Sequence, residues 1–300
     1  MTLSVVVPTL NGRDQLAASL DSLAARAPDA EVIVVNGPSA DGTTGMVRDR
    51  DDVDVLVEIS ARTLNVARNA GIEVASGDAV AFLGHDLVVE ESWADAIRAG
   101  LDEAHVVTGP THQTLQGGMT TDELEERDIA NRHVTYFNGG NVAFRARTLK
   151  RLDGFDEYLE TGGARDAAHR LGGIDARVTW GAGMCVRREY EADGGVTERD
   201  WGWKYRALAY RLVKNYGLRP TVARRTLVHA AEDAYSAARG VLRGDGTPTG
   251  WLGNGRDVVV GITTGGSDGF VARSRDRTSS RNPHGVSKRA DRAVARYDWR

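Results

Sequence analysis

Residues 4–11 read Ser4-Val5-Val6-Val7-Pro8-Thr9-Leu10-Asn11, and residues 31–43 read Glu31-Val32-Ile33-Val34-Val35-Asn36-Gly37-Pro38-Ser39-Ala40-Asp41-Gly42-Thr43. Each stretch is an apolar run that ends in small polar residues, and the residues between them have helical periodicity. Two strands joined by a helix run parallel, with a right-handed crossover. The sequence therefore predicts that both strand ends lie side by side at the carboxyl edge of one sheet, where open α/β sheets bind ligands.

The same alternation continues as far as residue 86. A strand over 53–59 and a helix over 63–75 precede a strand over 79–83, which stops at Gly84-His85-Asp86. Such a pattern is typical of a parallel sheet covered by helices. We therefore predict an α/β fold with a mostly parallel central sheet flanked by helices, Rossmann-like in its N-terminal half.

The pattern after residue 105 is mixed. Strands are predicted over 106–110 and 141–145, and helices over 122–132, 147–152 and 197–216. The last helix is aromatic and basic, which suits a sugar-binding platform or a membrane surface, although aromatic rings at helical spacing are also typical of a core. Residues 240–269 are rich in glycine and lose periodicity, so we predict an α-rich and loop-rich C-terminal extension.

Composition narrows the class of protein. The 300 residues are 41% hydrophobic and 27% charged, as in ordinary globular chains. The single cysteine, Cys185, excludes an internal disulfide framework and a zinc site built on cysteines. No stretch approaches the roughly 18 apolar residues of a membrane span, and no basic segment precedes the first strand. We predict a cytoplasmic protein without a nucleic-acid partner.

The last thirty residues carry most of the positive charge. Residues 271–300 contain nine Lys and Arg and three Asp. Such a segment attracts phosphates or the anionic inner face of a membrane. The alternative is a solvated, partly disordered terminus.

Several motifs in this chain resemble those of the family 2 glycosyltransferases with the GT-A fold. The resemblance rests on residues 4–11, 31–43, 67–78 and 82–86, and on a second block of Gly139-Gly140-Asn141-Val142-Ala143-Phe144-Arg145 followed by Gly154-Phe155-Asp156-Glu157. It implies inverting transfer of a sugar from a UDP- or GDP-sugar to the hydroxyl of a saccharide, lipid-linked or protein-glycan acceptor. We predict that residues 1–104 form the nucleotide-sugar-binding half and residues 105–238 the acceptor-binding half of one GT-A domain. The glycine content and basic charge of residues 239–300 predict a mobile C-terminal extension.

A nucleotide-sugar needs a slot for its base and polar groups for its ribose. We predict that Pro8, Thr9, Asn36 and Arg68 form this slot. Members of the family often place an Asp at the position of Asn36, which keeps hydrogen-bonding capacity but lacks the charge. Two alternatives remain open, namely that Asn36 belongs to an ordinary turn and that Arg68 is an exposed helix residue.

The resemblance further implies Mg²⁺ or Mn²⁺ held by an Asp-x-Asp motif, of which only Asp86 is present. One carboxylate, the phosphates of the donor and water can still complete a magnesium shell. His85 either adds a ligand or points away. Relatives commonly complete the metal site with a histidine further along the chain. His229, which we predict at a strand end, either has this role or is an ordinary strand-end histidine.

Inverting transfer needs a base to remove the acceptor proton. In members of the family, the helix after the Phe-Asp-Glu turn opens with Glu-Asp-x-Asp, and an Arg follows four residues after the last Asp. When that Arg is aligned on Arg170, the last Asp falls on Asp166 and the Glu-Asp pair falls on Gly163-Ala164. We predict Asp166 as the base, with Glu160 as a neighbouring substitute. The alternative is that Asp166 only pairs with Arg170 at i, i+4 on a helix.

The missing carboxylates favour a rival hypothesis, a catalytically silent binding or scaffold protein with the same fold. A nucleotidyltransferase is disfavoured, since no Gly-rich loop with a following Lys comes after the first strand.

Overall fold

The structure is a computed structural model that describes residues 1–113, 123–188, 200–243 and 248–300. Its strands are β1 (Leu3–Thr9), β2 (Glu31–Asn36), β3 (Val55–Ile59), β4 (Ala79–Leu83), β5 (Leu87–Val89), β6 (Val106–Thr108), β7 (Thr111–Gln113), β8 (Glu126–Ile129), β9 (Arg132–Thr135), β10 (Asn141–Arg145), β11 (Val178–Trp180), β12 (Val186–Arg188) and β13 (Ala293–Asp298). Its helices are α1 (Arg13–Arg26), α2 (Thr43–Arg48), α3 (Leu64–Val74), α4 (Trp93–Glu103), α5 (Ala146–Leu152), α6 (Gly163–Leu171), α7 (Trp201–Tyr216), α8 (Pro220–Arg243) and α9 (Pro248–Arg275), with a 3₁₀ turn at Val286–Lys288.

A central sheet organises the described part of the chain. Its strand order is β11-β6-β10-β4-β1-β2-β3-β13, and β5, β12 and β7 form a second, smaller sheet. The strands from β4 to β3 run parallel, as do β11 and β6, whereas β10 and β13 are antiparallel to their neighbours. The predicted mostly parallel sheet flanked by helices is confirmed.

Both faces of the sheet are buried, which explains the uninterrupted valine run of β1. Val5 and Val7 pack in the same apolar cluster as Leu16 of α1, on one face. Val6 packs in a second cluster with Val66 of α3, on the other. Strands covered on both faces read as continuous apolar runs, because neither side of the pleat meets water.

The predicted helix over 122–132 is wrong where the structure describes it. Residue 122 lies outside the described ranges, and β8 and β9 form an antiparallel hairpin instead. The two residues between these strands, Ala130 and Asn131, have φ of 51° and 66°. Positive φ at both central positions defines the tight turn that matches the twist of a hairpin, so local backbone geometry overrides the charged, helix-like composition.

The predicted loop over 240–269 is also wrong where it is described. The helix α8 continues to Arg243 and α9 begins at Pro248, while residues 244–247 lie outside the described ranges. Three glycines of α9, spaced four residues apart, lie where an added Cβ would overlap or crowd a backbone carbonyl oxygen of α7. These are Gly261 at Gly202, Gly265 at Arg206 and Gly269 at Tyr210. Glycine therefore serves here for close approach of two helices and not for chain reversal.

The aromatic helix α7 belongs mainly to the core. Tyr205, Tyr210 and Tyr216 are buried, which confirms the core interpretation for these three side chains. Among the residues that the structure describes, no helix has both the length and the apolar composition that crossing a bilayer requires.

The basic C-terminal segment is ordered, which corrects the alternative of a partly disordered terminus. The strand β13 pairs with β3 at the edge of the central sheet. Just before it, the wholly buried Arg292 forms ion pairs with Glu73 and Glu157. Arg300 pairs with Glu31 at 2.5 Å. Part of the positive charge is thus neutralised within the fold.

Candidate nucleotide-binding site

The ends of β1 and β2 lie side by side, as predicted. Thr9 is in register with Asn36, and the Gly37 amide donates to the Thr9 carbonyl at 2.9 Å. The two loops that follow are joined as well, since the Ala40 amide donates to Asn11 Oδ1 at 2.8 Å. These bonds make one polar edge out of two separate strand ends.

A cavity of about 140 Å³ opens at this edge. Its walls come from the ends of β1, β2, β3 and β4 and from the start of α3; the lining residues are Pro8, Thr9, Leu10, Gly37, Ile59, Ala61, Arg62, Thr63, Leu64, Ala67 and His85. The Oγ1 atom of Thr9 is buried and has no hydrogen-bond partner in the described part of the chain. A buried hydroxyl without a partner is costly, so this atom is suited to a ligand.

The histidine of the cavity wall depends on a glycine. A Cβ atom at Gly12 would overlap the His85 ring and lie 3.3 Å from Thr9 Oγ1. The bare backbone of Gly12 therefore lets His85 reach the cavity beside β1.

Asn36 is buried, is not among the residues that line this cavity, and is bonded within the protein. Its Nδ2 donates to Thr44 Oγ1 at 2.9 Å, and its Oδ1 accepts from Ser39 Oγ at 2.7 Å. Thr44 Oγ1 in turn donates to Glu58 Oε1 at 3.0 Å. These contacts give Asn36 a part in holding the loop after β2.

Arg68 is buried, so the alternative of an exposed helix residue is wrong. Its guanidinium donates to the Gly139 carbonyl at 2.6 Å and lies 4.9 Å from the centre of the Phe155 ring. Its Nε has no hydrogen-bond partner within the described ranges, and burial lowers its pKa to about 10. Arg68 thus links α3 of the nucleotide half to the Gly139 and Phe155 segments of the second half.

Asp86 pairs with a cation of the protein. Its Oδ2 lies 2.8 Å from Arg188 Nε. Among the residues that the structure describes, no group of three His, Cys, Asp or Glu side chains is placed to hold a metal ion. Among the described residues, the end of β4 therefore offers a metal ion one carboxylate, and that carboxylate is already paired with a guanidinium. Such an arrangement does not fit a site for Mg²⁺ or Mn²⁺.

His229 is not at a strand end. It lies within α8, half exposed, with Nδ1 3.7 Å from Glu232 Oε2. The expectation that this histidine follows a strand is therefore wrong, because residues 220–243 form a helix. This helix packs on α7 and α9. The apolar residues before His229, read as a strand, instead belong to a helix that packs through one side.

Asp166 is wholly buried in a charged cluster. Its carboxylate accepts from Arg170 Nε at 2.8 Å and from Lys214 Nζ at 2.9 Å, and its Oδ1 accepts from Asn215 Nδ2 at 2.9 Å. Burial raises the pKa of Asp166, but the ion pairs with Lys214 and Arg170 outweigh burial, and the pKa lies well below its usual range. The predicted i, i+4 pair with Arg170 is present, and a weakly basic buried carboxylate is poorly placed to accept a proton from a substrate.

The positions that lack the family's carboxylates are closely packed. A Cβ at Gly163 would overlap the Asn65 side chain, whose Nδ2 donates to the carbonyls of Asp156 and Leu159 at 3.0 and 2.8 Å. Asn65 thereby holds the loop before α6 against the start of α3. The next residue of that loop, Glu160, is exposed.

Two residues of this region were missed by the sequence interpretation. Arg62 lines the cavity and follows β3, a third parallel strand, so the argument applied to β1 and β2 also predicts its position. Arg188 comes to Asp86 only because β12 pairs with β5. No sequence spacing indicates that pairing.

A larger cleft of about 680 Å³ lies elsewhere, between α7, α8 and α9. Its walls are mostly apolar and include Trp201, Ala230 and Val259. It has none of the strand-end polar groups described above.

Comparison with known proteins identifies the family. The model of Glycosyl transferase family 2 matches residues 4–153, which is half of the chain, and the chain belongs to this family. Glycosyltransferase AglE of Haloferax volcanii is 29% identical over 152 residues, covering 48% of this chain and 43% of that protein. A pre-mycofactocin glycosyltransferase of Mycobacterium tuberculosis is 23% identical over 219 residues, covering 66% and 44%. The chain spans less than half the length of these curated relatives.

Solved structures share the fold. S. aureus TarS 1-349 in complex with UDP-GlcNAc has a TM-score of 0.63 at 17% identity, covering 92% of both chains. The mannosyltransferase PcManGT of Pyrobaculum calidifontis, in complex with GDP-Man and Mn²⁺, has a TM-score of 0.57 at 18% identity, covering 92% of this chain and 88% of that one. At these identities the likeness establishes the GT-A fold alone.

Proposed function

We propose that this protein is a glycosyltransferase that moves a sugar from a nucleotide-diphosphate donor to an acceptor hydroxyl with inversion. The observation that carries the proposal is the cavity at the joined ends of β1 and β2, lined by Thr9, whose buried Oγ1 has no hydrogen-bond partner among the described residues. Pro8 and Thr9 line the slot for the nucleotide, while Asn36 holds the loop after β2 and Arg68 joins α3 to the Gly139 segment. UDP-GlcNAc and GDP-Man in the two structural neighbours support a UDP- or GDP-sugar as donor.

In the proposed reaction the acceptor oxygen forms a bond to the anomeric carbon as the bond from that carbon to the diphosphate oxygen breaks. The acceptor proton passes to a base and the nucleoside diphosphate leaves. Glu160 is our candidate base. It is exposed, and the preceding Leu159 is held by Asn65, next to the cavity residue Leu64. Asp166 then acts as a positioning residue for α6 and α7.

The acceptor class is a saccharide, a lipid-linked saccharide or a protein glycan. The free Cys185 suits a reducing compartment, which supports a cytoplasmic location. Exposed cations of the C-terminal segment, such as Lys288, support contact with the inner face of a membrane.

A silent binding protein is the second candidate. Two observations favour it, the packing of Asn65 against Gly163 and the pairing of Asp86 with Arg188. Such a protein keeps the nucleotide slot but has no base beside it.

Calorimetric titration of the full chain with UDP- and GDP-sugars, with and without Mn²⁺, tests donor binding. NMR detection of donor consumption and of the anomeric configuration of the product tests transfer. Heat of binding together with an inverted product supports the enzyme, and binding without any turnover supports the silent protein. If no donor gives heat, the glycosyltransferase proposal is wrong and the silent protein is supported, as a scaffold that binds no donor.

A matched pair of variants tests the base. Glu160→Gln should lower turnover by about 100-fold or more at unchanged donor affinity, as expected on loss of general base catalysis. Glu91→Gln, also at an exposed glutamate, should leave turnover unchanged. Equal rates in both variants would exclude Glu160 as the base.

A further inference from the structure

A guanidinium lies at the end of β4, where the family resemblance led us to expect a metal ion. Arg188 Nε is 2.8 Å from Asp86 Oδ2, and the side chains are 33% and 30% exposed, so solvent and ligands reach the pair. We propose that Arg188, oriented by Asp86, binds the diphosphate of the nucleotide-sugar and supplies the positive charge that a divalent ion would otherwise supply. This inference rests on the proposed function and names how its site holds the donor.

The second sheet places Arg188 at this point. β12 runs antiparallel to β5, with Arg188 opposite Leu87, the residue after Asp86. On its other side β12 pairs with β7, with Arg188 opposite Gln113. A residue held between two strands has a defined backbone position, so the guanidinium is presented at a fixed place.

Asp86, the partner of Arg188, directly follows a residue of the cavity wall. His85, the residue before Asp86, lines the cavity wall, and so does Arg62. A guanidinium has five N–H donors in a planar fork, so it can hold a carboxylate along one edge and a phosphate along another. A guanidinium held in place before the reaction stabilises the charge that develops on the departing diphosphate.

The same place is unfavourable for a divalent ion. The family's first carboxylate would stand at Gly84, where a Cβ would lie 2.9 Å from Asp86 Oδ1 and 3.1 Å from Leu87 Cδ1. A metal ion on Asp86 would also lie against the guanidinium of Arg188, and like charges at such a distance repel. Packing and charge therefore both favour the arginine.

The first test separates arginine from metal. UDP and GDP are titrated into the full chain in the presence of EDTA, and again with Mn²⁺, with uridine and guanosine as ligands without phosphate. We expect binding of one diphosphate in EDTA that is at least about 10-fold tighter than binding of its nucleoside, as charge-assisted hydrogen bonds provide. Diphosphate affinity that equals nucleoside affinity in EDTA and rises only with Mn²⁺ would overturn the inference.

The second test removes one charge at a time. Arg188→Gln should weaken diphosphate binding by about 10-fold or more and leave nucleoside binding unchanged. Arg187→Gln, the matched control, removes the same charge at a position whose side chain points to the opposite face of β12, and should have no effect. Equal losses in the two variants would show a general effect of charge and overturn the inference.

A third variant covers the case in which Arg188→Gln does not fold. Asp86→Asn keeps a side chain of the same shape next to Arg188 but removes the charge that competes with phosphate, so diphosphate affinity in EDTA should rise by about threefold. If Asp86 is a metal ligand, we expect the reverse, and a 10-fold loss of diphosphate affinity would overturn the inference.

If neither nucleosides nor diphosphates bind to the wild-type chain under any condition, the proposed function itself is wrong. If a nucleoside binds and the diphosphate adds nothing in EDTA, only the role of Arg188 is wrong.

Discussion

Lys214 of α7 donates to Asp166 of α6 at 2.9 Å, and both side chains are wholly buried. The same ammonium group donates to Asp156, which also accepts from Tyr210 at 2.9 Å. The buried charges are therefore matched by partners from distant parts of the chain. This cluster joins α6 and α7 to the loop after β10 and α5, which carries the acceptor-side motif.

We expect Asp166→Asn to destabilise the fold by about 3 kcal/mol or more, since breaking one side of a buried ion pair leaves an unmatched charge. Urea denaturation followed by circular dichroism measures the change. Asp95→Asn, which breaks the exposed pair with Arg98, should cost no more than about 1 kcal/mol. If Asp166→Asn keeps wild-type stability but abolishes transfer, Asp166 is the base and not a positioning residue.

The glycines of α9 provide a second prediction. Gly265→Ala should destabilise the protein by about 1–3 kcal/mol, because the new methyl group overlaps the Arg206 carbonyl of α7. At the neighbouring Gly266 a Cβ meets no heavy atom within 4 Å. Gly266→Ala should therefore stabilise the helix by roughly 0.5–1 kcal/mol. Thermal unfolding of both variants measures the difference, and effects of the same sign would contradict the packing.

Thr9→Val tests the nucleotide slot. The substitution keeps the shape of the side chain and removes a hydroxyl that has no partner in the described residues, so stability should not fall. Affinity for the nucleotide should fall by about 10-fold, the equivalent of one hydrogen bond. Calorimetry measures the affinity, and Thr9→Ser, which retains the hydroxyl, is the control. Equal affinity in Thr9→Val and wild type would remove Thr9 from the site.

His169 makes stability depend on pH. Burial, together with the nearby charge of Arg211, lowers its pKa well below the usual 6.5, and its Nδ1 lies 2.8 Å from the Tyr216 hydroxyl. Because the unfolded chain binds the proton more tightly, the stabilisation is complete above pH 6.5 and is lost as the pH falls below that value.

The slope of this loss from one histidine is at most about 1.4 kcal/mol per pH unit. His169→Gln should therefore show a smaller loss of stability than wild type between pH 6.5 and 5.5, measured by urea denaturation at each pH. Parallel pH profiles for the two proteins would show that the pKa of His169 does not differ between the folded and unfolded states.

The sequence by itself determined the nucleotide half of the fold. Its strands are short apolar runs and its helices have a helical period, and parallel strands joined by helices have one favoured handedness. The meeting of Thr9 with Asn36 follows from those rules alone, and by the same rule so does the place of Arg62 after β3. The family resemblance named the ligand class, because its motifs stand at these strand ends.

Only the tertiary structure decided what depends on contacts between distant residues. The glycines of α9 resemble loop residues until α7 is packed against them, and Arg68 resembles a surface arginine until the Gly139 and Phe155 segments cover it. Asp86 resembles a metal ligand until β12 brings Arg188, about a hundred positions later in the chain, to 2.8 Å from it. Local periodicity carries no information about such pairings, because they arise from the close packing of surfaces that no single segment contains.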